Sequence, residues 1–514
     1  MPKKRLSWWL STALVVLLFA LTGCQAVQGL DIAQAIQNNA SITSGASNTS
    51  IQFELVPGTK PLSADEQALV DTFNPLKLEI THAIMEDKQH LSADGTLTYS
   101  KGSIPFKLNL LDTQYVIQIE GAPKPVVFDP FAAQGGTSAQ AAALLPEGIQ
   151  SKLGSAIQQI QPALVKLLIA KMPNPQHITV TSVSDTINQE PLSLQKAHIE
   201  MNGTEAASLL STMLSGLLED EEGLQDLIGQ LYDAILPVIQ QQAGADSQSS
   251  VFLSLLQNKQ VAVGFAYSAV RSFLEKAVAD LGQASQDSSS SWFSSKATLS
   301  LDLFIDGNKQ LRKQAAELYI PAPEPDADIA AYKLSFAAES WDLNKPMKLN
   351  PIDTSGGTMK ITSEPSSLFV FLSQLDKQSA IYKLLKDDLH VTRKVIHLAM
   401  NQSGDAEEGS LQPFINADGV TMVPVRFISE QLGAEVKWNG DLQQVTIIDA
   451  LTGKTIVLTL DNKIASVNGA NIQLESAATL HDSSTFVPVR FIAETLGSKV
   501  EFDDATRVVT IKRD

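Results

Sequence analysis

An eleven-residue segment near the C-terminus of this chain is written twice. The first copy reads Val423-Pro424-Val425-Arg426-Phe427-Ile428-Ser429-Glu430-Gln431-Leu432-Gly433. The second reads Val487-Pro488-Val489-Arg490-Phe491-Ile492-Ala493-Glu494-Thr495-Leu496-Gly497, at an offset of 64. Each copy runs on to a Val-Thr-Ile, at 445–447 and at 509–511. A repeat held at one offset over this length predicts two copies of one small folding unit, packed in tandem.

Within each copy the residues read as a short helix followed by strands. Pro424 and Pro488 stand where a first helical residue is expected, a position that tolerates a missing N–H. Arg426 and Glu430 are four apart, as are Arg490 and Glu494, which places each pair on one helix face as an ion pair. Ile428 with Leu432, and Ile492 with Leu496, give the apolar face at the same spacing. Gly433 and Gly497 fall just past the helix end, where a positive φ is common. Strands follow at Glu435–Trp438 and Lys499–Phe502, with turns at 439–441 and 503–505. Further strands are expected at 395–398 and 455–458, and a hairpin at 465–469.

These residues resemble a known family. The Val-Pro-Val-Arg-Phe-Ile-x-Glu-x-Leu-Gly core, the following Val-x-Trp or Val-x-Phe, and the closing Val-Thr-Ile are similar to the copper amine oxidase N-terminal-like domain. The resemblance covers 393–514 and implies a non-catalytic stalk module. In Gram-positive bacteria such modules occur on secreted and surface proteins, where a structural or wall-associated role is supposed. The oxidase chemistry is not implied. That family builds its quinone from the Tyr of an Asn-Tyr-Asp/Glu motif and binds copper through three His, two of them as His-x-His. No Tyr of this chain follows an Asn, and His82, His90, His177, His198, His390, His397 and His481 contain no His-x-His pair. A type II copper site needs several imidazoles to converge. Gly-x-Ser-x-Gly, His-Glu-x-x-His and Walker motifs are also missing from the sequence. The expectation is therefore no enzyme, no cofactor and no metal.

The opposite end of the chain reads as an address. Lys3, Lys4 and Arg5 precede an apolar run from Leu6 to Ala20, too short for a comfortable membrane span of roughly 20 residues. The run ends in Leu21-Thr22-Gly23-Cys24, which resembles a bacterial lipobox. That resemblance implies cleavage of residues 1–23, a diacylglyceryl group on Cys24, and an extracytoplasmic protein anchored to the membrane. The alternative is a plain secretory signal or an uncleaved anchor. Cys24 is the only cysteine, so no intramolecular disulfide is possible. Residues 24–50, rich in Asn, Ser, Thr, Gly, Ala and Gln, read as a flexible tether.

The formal charge is −18, and removal of the three leader cations takes it to about −21. Nucleic acid needs concentrated Lys and Arg and is excluded as a main partner. With 44% hydrophobic residues the chain can bury sizeable cores. Residues 51–355 read as α+β, an antiparallel sheet with inserted helices. Alternation predicts strands at 76–83, 104–110, 115–120 and 332–341, and a hairpin around Asp306-Gly307-Asn308-Lys309. Helical spacing predicts helices over 141–172, 209–218, 224–236 (stopped by Pro237) and 263–281. Glu219–Glu222 reads as the acidic first turn of the third of these. The pattern is loosely similar to lipoprotein-borne lipid carriers, so an apolar ligand of this domain is the second functional reading beside a wall polymer for the repeats. Residues 356–392 read as a linker and a helical connector to the repeats.

Overall fold

The computed structural model describes residues 26–112, 114–128, 147–242, 258–286, 291–322, 328–361, 365–399, 413–481, 483–503 and 505–513. The leader and Cys24 lie outside these residues. The contacts divide the chain into two units, one of residues 1–118 and 129–353, the other of 119–128 and 354–514. The architecture is α+β, as the sequence patterns predict.

In the first unit the strands are β1 (Gly45–Pro57), β2 (Leu76–Met85), β3 (His90–Tyr99), β4 (Gly102–Leu111) and β5 (Gln114–Ile119), then β7 (His177–Ile187), β8 (Glu190–Asn202), β9 (Thr298–Ile305), β10 (Leu311–Pro321) and β11 (Ile329–Trp341). β6 (Val126–Phe128) belongs to the second unit. Their order is β5-β4-β3-β2-β1-β11-β10-β9-β8-β7. The helices are α1 (Ile32–Ala40), α2 (Ala64–Phe73), α3 (Glu147–Lys171), α4 (Gly203–Glu219), α5 (Glu221–Gln242) and α6 (Lys259–Gln286).

Directly opposed residues of antiparallel strands share a face, so register exposes the pattern of the sheet. One row runs Leu76–Phe53–Leu334–Leu318–Leu299–Met201 across β2, β1, β11, β10, β9 and β8. The next runs Ile104–Leu97–Leu78–Ile51–Phe336–Ala316–Leu301–Ile199–Ile178 from β4 to β7. The helices pack on this apolar face over β8 to β10. There α1, α4 and Met172 close a core on Ala197, Ile199, Leu301, Leu303 and Ile305. A second helical layer, with Leu217, Leu224, Tyr267 and Leu274, joins α4, α5 and α6.

Two expectations for this unit are corrected, and one element was not expected. The tether is not one: α1 and β1 occupy most of 24–50, and β1 is a central strand between β2 and β11. Its polar residues serve the solvent-side face, where Asn48 Oδ1 accepts from His82 N at 2.9 Å. Low local hydrophobicity was overridden by pairing on both edges. Second, α5 runs through Pro237 to Gln242. Proline removes one N–H and weakens the helix there without having to end it. The β7–β8 hairpin was not foreseen from the sequence. Its eleven register pairs form although β7 is mostly Thr, Ser and Asp with few core residues.

In the second unit β6 (Val126–Phe128) pairs in parallel with β12 (Met359–Lys360). The connector is broken into α7 (Pro365–Gln374), α8 (Ala380–Lys383) and a π-helical turn at Leu384–Asp388. Asp376 Oδ1 accepts from Gln378 N at 2.9 Å and Ser379 Oγ from Tyr382 N at 3.3 Å, and such local bonds compete with a continuous helix. Phe371, Leu372 and Leu375 pack with Val126 in a core of their own, so this segment is body rather than linker.

The repeats comprise β13 (Lys394–Ala399), β14 (Phe414–Ile415), β15 (Thr421–Pro424), α9 (Val425–Gln431), β16 (Glu435–Asn439) and β17 (Gln444–Asp449). They continue as β18 (Lys454–Thr459), β19 (Ile464–Val467), β20 (Ala470–Gln473), β21 (Thr479–His481), β22 (Ser484–Pro488), α10 (Val489–Thr495), β23 (Ser498–Asp503) and β24 (Val508–Arg513). The three sheets are β13-β24-β23, β14-β15-β22-β21 and β16-β17-β18-β19-β20. Two independent units in tandem are not what these pairings make. β15 pairs with β22 so that Val423 opposes Val487, its own counterpart 64 residues on. β13, which precedes the first copy, completes the sheet of the second through β24. Val423, Ile428 and Leu432 share one buried core with Val487, Ile492 and Leu496. The copies interlock into a single domain.

Candidate functional site

The sequence-marked residues cluster around the two short helices. Pro424 and Pro488 are N-caps rather than first helical residues, with φ/ψ of −61/116° and −57/122°. Both close a strand before a helix begins, and the extended ψ belongs to that strand. Arg426 Nη1 donates to Glu430 Oε1 at 3.1 Å, and Arg490 Nε stands 3.9 Å from Glu494 Oε1. The side chains are more than half exposed, so neither pair stabilises the fold by more than roughly 0–1 kcal/mol. Gly433 and Gly497 have φ of +85° and +81°.

The two copies differ in what surrounds the pair. Beside α9 lies a groove of about 430 Å³ lined by Pro424, Arg426, Phe427, Glu430, Val436, Trp438, Leu480, Ser483, Ser484 and Thr485, among others. Arg426 Nη1 also donates to the carbonyl of Val436 at 3.3 Å, which ties the guanidinium to β16. Three large apolar side chains stay open to solvent here, Phe427 at 47%, Trp438 at 45% and Leu480 at 56%. Phe502 takes the place of Trp438 in the second copy, while Phe491, in place of Phe427, is half-buried. Trp438 has the strand parity of buried Val436 and opposes buried Val445, yet it stays exposed. An exposed indole, an adjacent leucine and phenylalanine, a paired Arg and Glu, and three hydroxyls make an amphipathic groove. It suits a ligand with an apolar face and polar edges. Sequence reasoning marked Arg426 and Glu430 and missed Phe427, Trp438 and Leu480, because exposure is not written in alternation.

The first unit holds a larger groove, about 840 Å³, between the start of α4 and the sheet. Met201, Leu299, Leu318 and Leu334 line it together with Thr204, Ser208, Ser300 and Ser335. These four apolar residues belong to one register row, which continues to Phe53 and Leu76.

On the opposite sheet face His198 is held between two carboxylates. Nδ1 lies 2.6 Å from Asp302 Oδ1 and Nε2 3.1 Å from Glu200 Oε1. The hydrogen bond to Asp302, with the bond to Glu200 beside it, raises the His198 pKa against a smaller effect of burial. Lys196 and Lys313 stand 5.5 Å from the Phe304 ring centre. Each is also paired, Lys196 with Asp302 and Lys313 with Asp185 and Glu339. These charges pair with one another and read as a structural network. Of the acidic run only Glu221 and Glu222 lie in the expected first turn, and Glu219 ends the preceding helix; Asp220 Oδ1 accepts from Gly223 N at 2.9 Å, and the hydrogen bond from Lys171 lowers the Asp220 pKa. Among the described residues no group of three or more His, Cys, Asp or Glu could hold a metal ion. No helix among them is long and apolar enough to cross a membrane.

Residues 403–511 match the family model of the copper amine oxidase N-terminal domain. The match spans both copies as one domain, in keeping with their interlocked sheets. It is confined to about a fifth of the chain, and it is to the oxidases' N-terminal domain, not their catalytic one. No curated protein matches the chain.

Proposed function

We propose that this is a non-catalytic envelope protein, lipid-anchored through Cys24, whose C-terminal unit binds a cell-wall polymer in the groove beside α9. The observation that carries this reading is the juxtaposition of exposed Trp438, Phe427 and Leu480 with the Arg426–Glu430 pair. A sugar ring presents an apolar face to an indole and hydroxyls to flanking polar groups, and the groove offers both. The test is co-sedimentation of the full chain with purified peptidoglycan, beside Trp438→Ala and Phe427→Ala. Loss of sedimentation in both variants, with unchanged circular dichroism, supports the reading. Sedimentation equal to that of the unsubstituted protein sinks it.

A second reading is that the first unit carries an apolar ligand. What favours it is the apolar row that leaves the helical layer at the 840 Å³ groove and continues over half-buried Leu334, Phe53 and Leu76. Mass spectrometry of an organic extract of the purified protein tests it. A stoichiometric lipid supports the carrier, and an empty protein counts against it.

A further inference from the structure

Residues 24–50 are folded from Val27 onward. Val27 N donates to the Leu30 carbonyl at 3.0 Å and Leu30 N returns the bond at 2.9 Å. The Leu30 side chain is 9% exposed and joins the core under α1. Asp31 Oδ1 caps α1 by accepting from Gln34 N at 3.0 Å. Gln28 Oε1 accepts from Val180 N on β7 at 3.3 Å, and Lys309 Nζ lies 3.3 Å from Asp31. The body of the first unit therefore begins two or three residues after Cys24. Covalent geometry keeps the Cα atoms of Cys24 and Ala26 within about 7 Å, and those of Cys24 and Gln28 within about 14 Å. A flexible chain of the length first expected would have allowed an excursion of about 28 Å r.m.s..

Building on the lipid-anchor reading, we infer that the first unit is held against the bilayer in one orientation. The turn at Val27–Leu30, the outer edge of β7 and the β9–β10 turn at Asp306–Lys309 face the headgroups. The partner is the polar surface of a lipid bilayer, and the chemistry of the face suits it. Thr179, Thr181 and Ser182 are exposed, uncharged hydroxyls. Three of the carboxylates around this face are countered by a cation, Asp31 by Lys309, Asp185 by Lys313 and Asp306 by Arg312, while Glu339 shares Lys313 and Glu190 shares Arg312. β5, at the other end of the strand order, is nine strands from β7, about 43 Å along the sheet at 4.8 Å per strand.

The test uses the lipidated full chain in phosphatidylcholine vesicles that carry a quencher on their headgroups. Cys24 is the only cysteine and its sulfur is blocked by the lipid, so one introduced cysteine takes a fluorophore uniquely. Thr181→Cys, with Thr179→Cys as a second position on the same strand, is expected to lose most of its emission, while Gln114→Cys keeps its own. Equal quenching at both ends of the sheet, with lipid on Cys24 verified by mass spectrometry, overturns the orientation and leaves the anchor standing. An unmodified Cys24 overturns the anchor reading and the orientation with it. Insertion of twenty Gly/Ser residues between Gln25 and Ala26, worth about 25 Å r.m.s. of reach, is expected to abolish the difference. A difference that survives the insertion overturns the short leash as its cause.

Discussion

Gly433 and Gly497 hold the same place in the repeat and nearly the same φ, yet alanine is expected to act differently at the two. At Gly497 the nearest atom to an added Cβ is Thr452 Cγ2 at 3.5 Å, an ordinary contact. The cost there is that of a left-handed backbone for an L-residue, about 1–2 kcal/mol. At Gly433 the added Cβ would fall on the ring of Phe369, on Cδ2 and Cε2. Phe369 is 2% exposed and has no room to retreat. Overpacking of this kind adds about 1–3 kcal/mol, for a total of roughly 2–5 kcal/mol. The assay is hydrogen exchange of peptides within 423–449 of the full chain, which reads the opening of this unit without assuming that the whole protein unfolds in one step. Phe369→Ala completes the cycle. In its background Gly433→Ala is expected to cost only the backbone portion, a coupling of about 1–3 kcal/mol. Equal losses at the two glycines, or an additive cycle, would refute the steric explanation.

Other outcomes are expected from the same geometry. Arg513 and Asp449 form an ion pair at 2.8 Å, 4% and 0% exposed, and Arg513 also donates to the Leu432 carbonyl. Arg513→Ala leaves a buried carboxylate unpaired and is expected to cost about 3–5 kcal/mol in urea unfolding; a loss under 1 kcal/mol would mean that water reaches Asp449. Ser429 is fully buried in α9 with no hydrogen-bond partner for its hydroxyl among the described residues, and the second copy has Ala493 there. Ser429→Ala is expected to stabilise by about 1 kcal/mol, read as a higher urea midpoint. The folded pKa of His198 lies above its unfolded value near 6.5, chiefly through the bond to Asp302. Its contribution is therefore complete below about pH 6.5 and lost as pH rises through the folded pKa. The thermal midpoint of His198→Gln should fall below that of the unsubstituted protein at about pH 5.5 and approach it at about pH 9; a gap that widens with pH would reverse the sign argued here.

The ion pair of the candidate groove and the helix stops beside it were legible before the fold was known, while its exposed apolar side chains were not. The spacing of Arg426 and Glu430 predicts their ion pair, and Gly433 and Gly497 adopt the positive φ that a helix stop asks for. Alternation placed β2, β4, β5 and β11 close to where they form, and Asp-Gly-Asn-Lys at 306–309 marks the β9–β10 hairpin. These are local properties, fixed by side-chain period and turn chemistry within a few residues.

The rest was decided by partners far along the chain. Residues 45–50 are too polar to read as a strand, but β1 gains a neighbour on both edges, one of them almost 300 residues away. The repeats announce two units by sequence, whereas β13 pairs with β24 and closes them into one, because a strand's edge is satisfied by whichever neighbour the chain brings to it. Trp438 and Leu480 become a surface only when β16 and β21 lie on either side of α9's groove. Sequence by itself determined the α+β class and the repeat with its helix punctuation. Tertiary structure alone decided that the chain is folded from Val27 onward, that two copies make one core, and which aromatic side chains remain exposed. Period and capping act over one turn or one strand pair, while burial depends on everything packed around a residue.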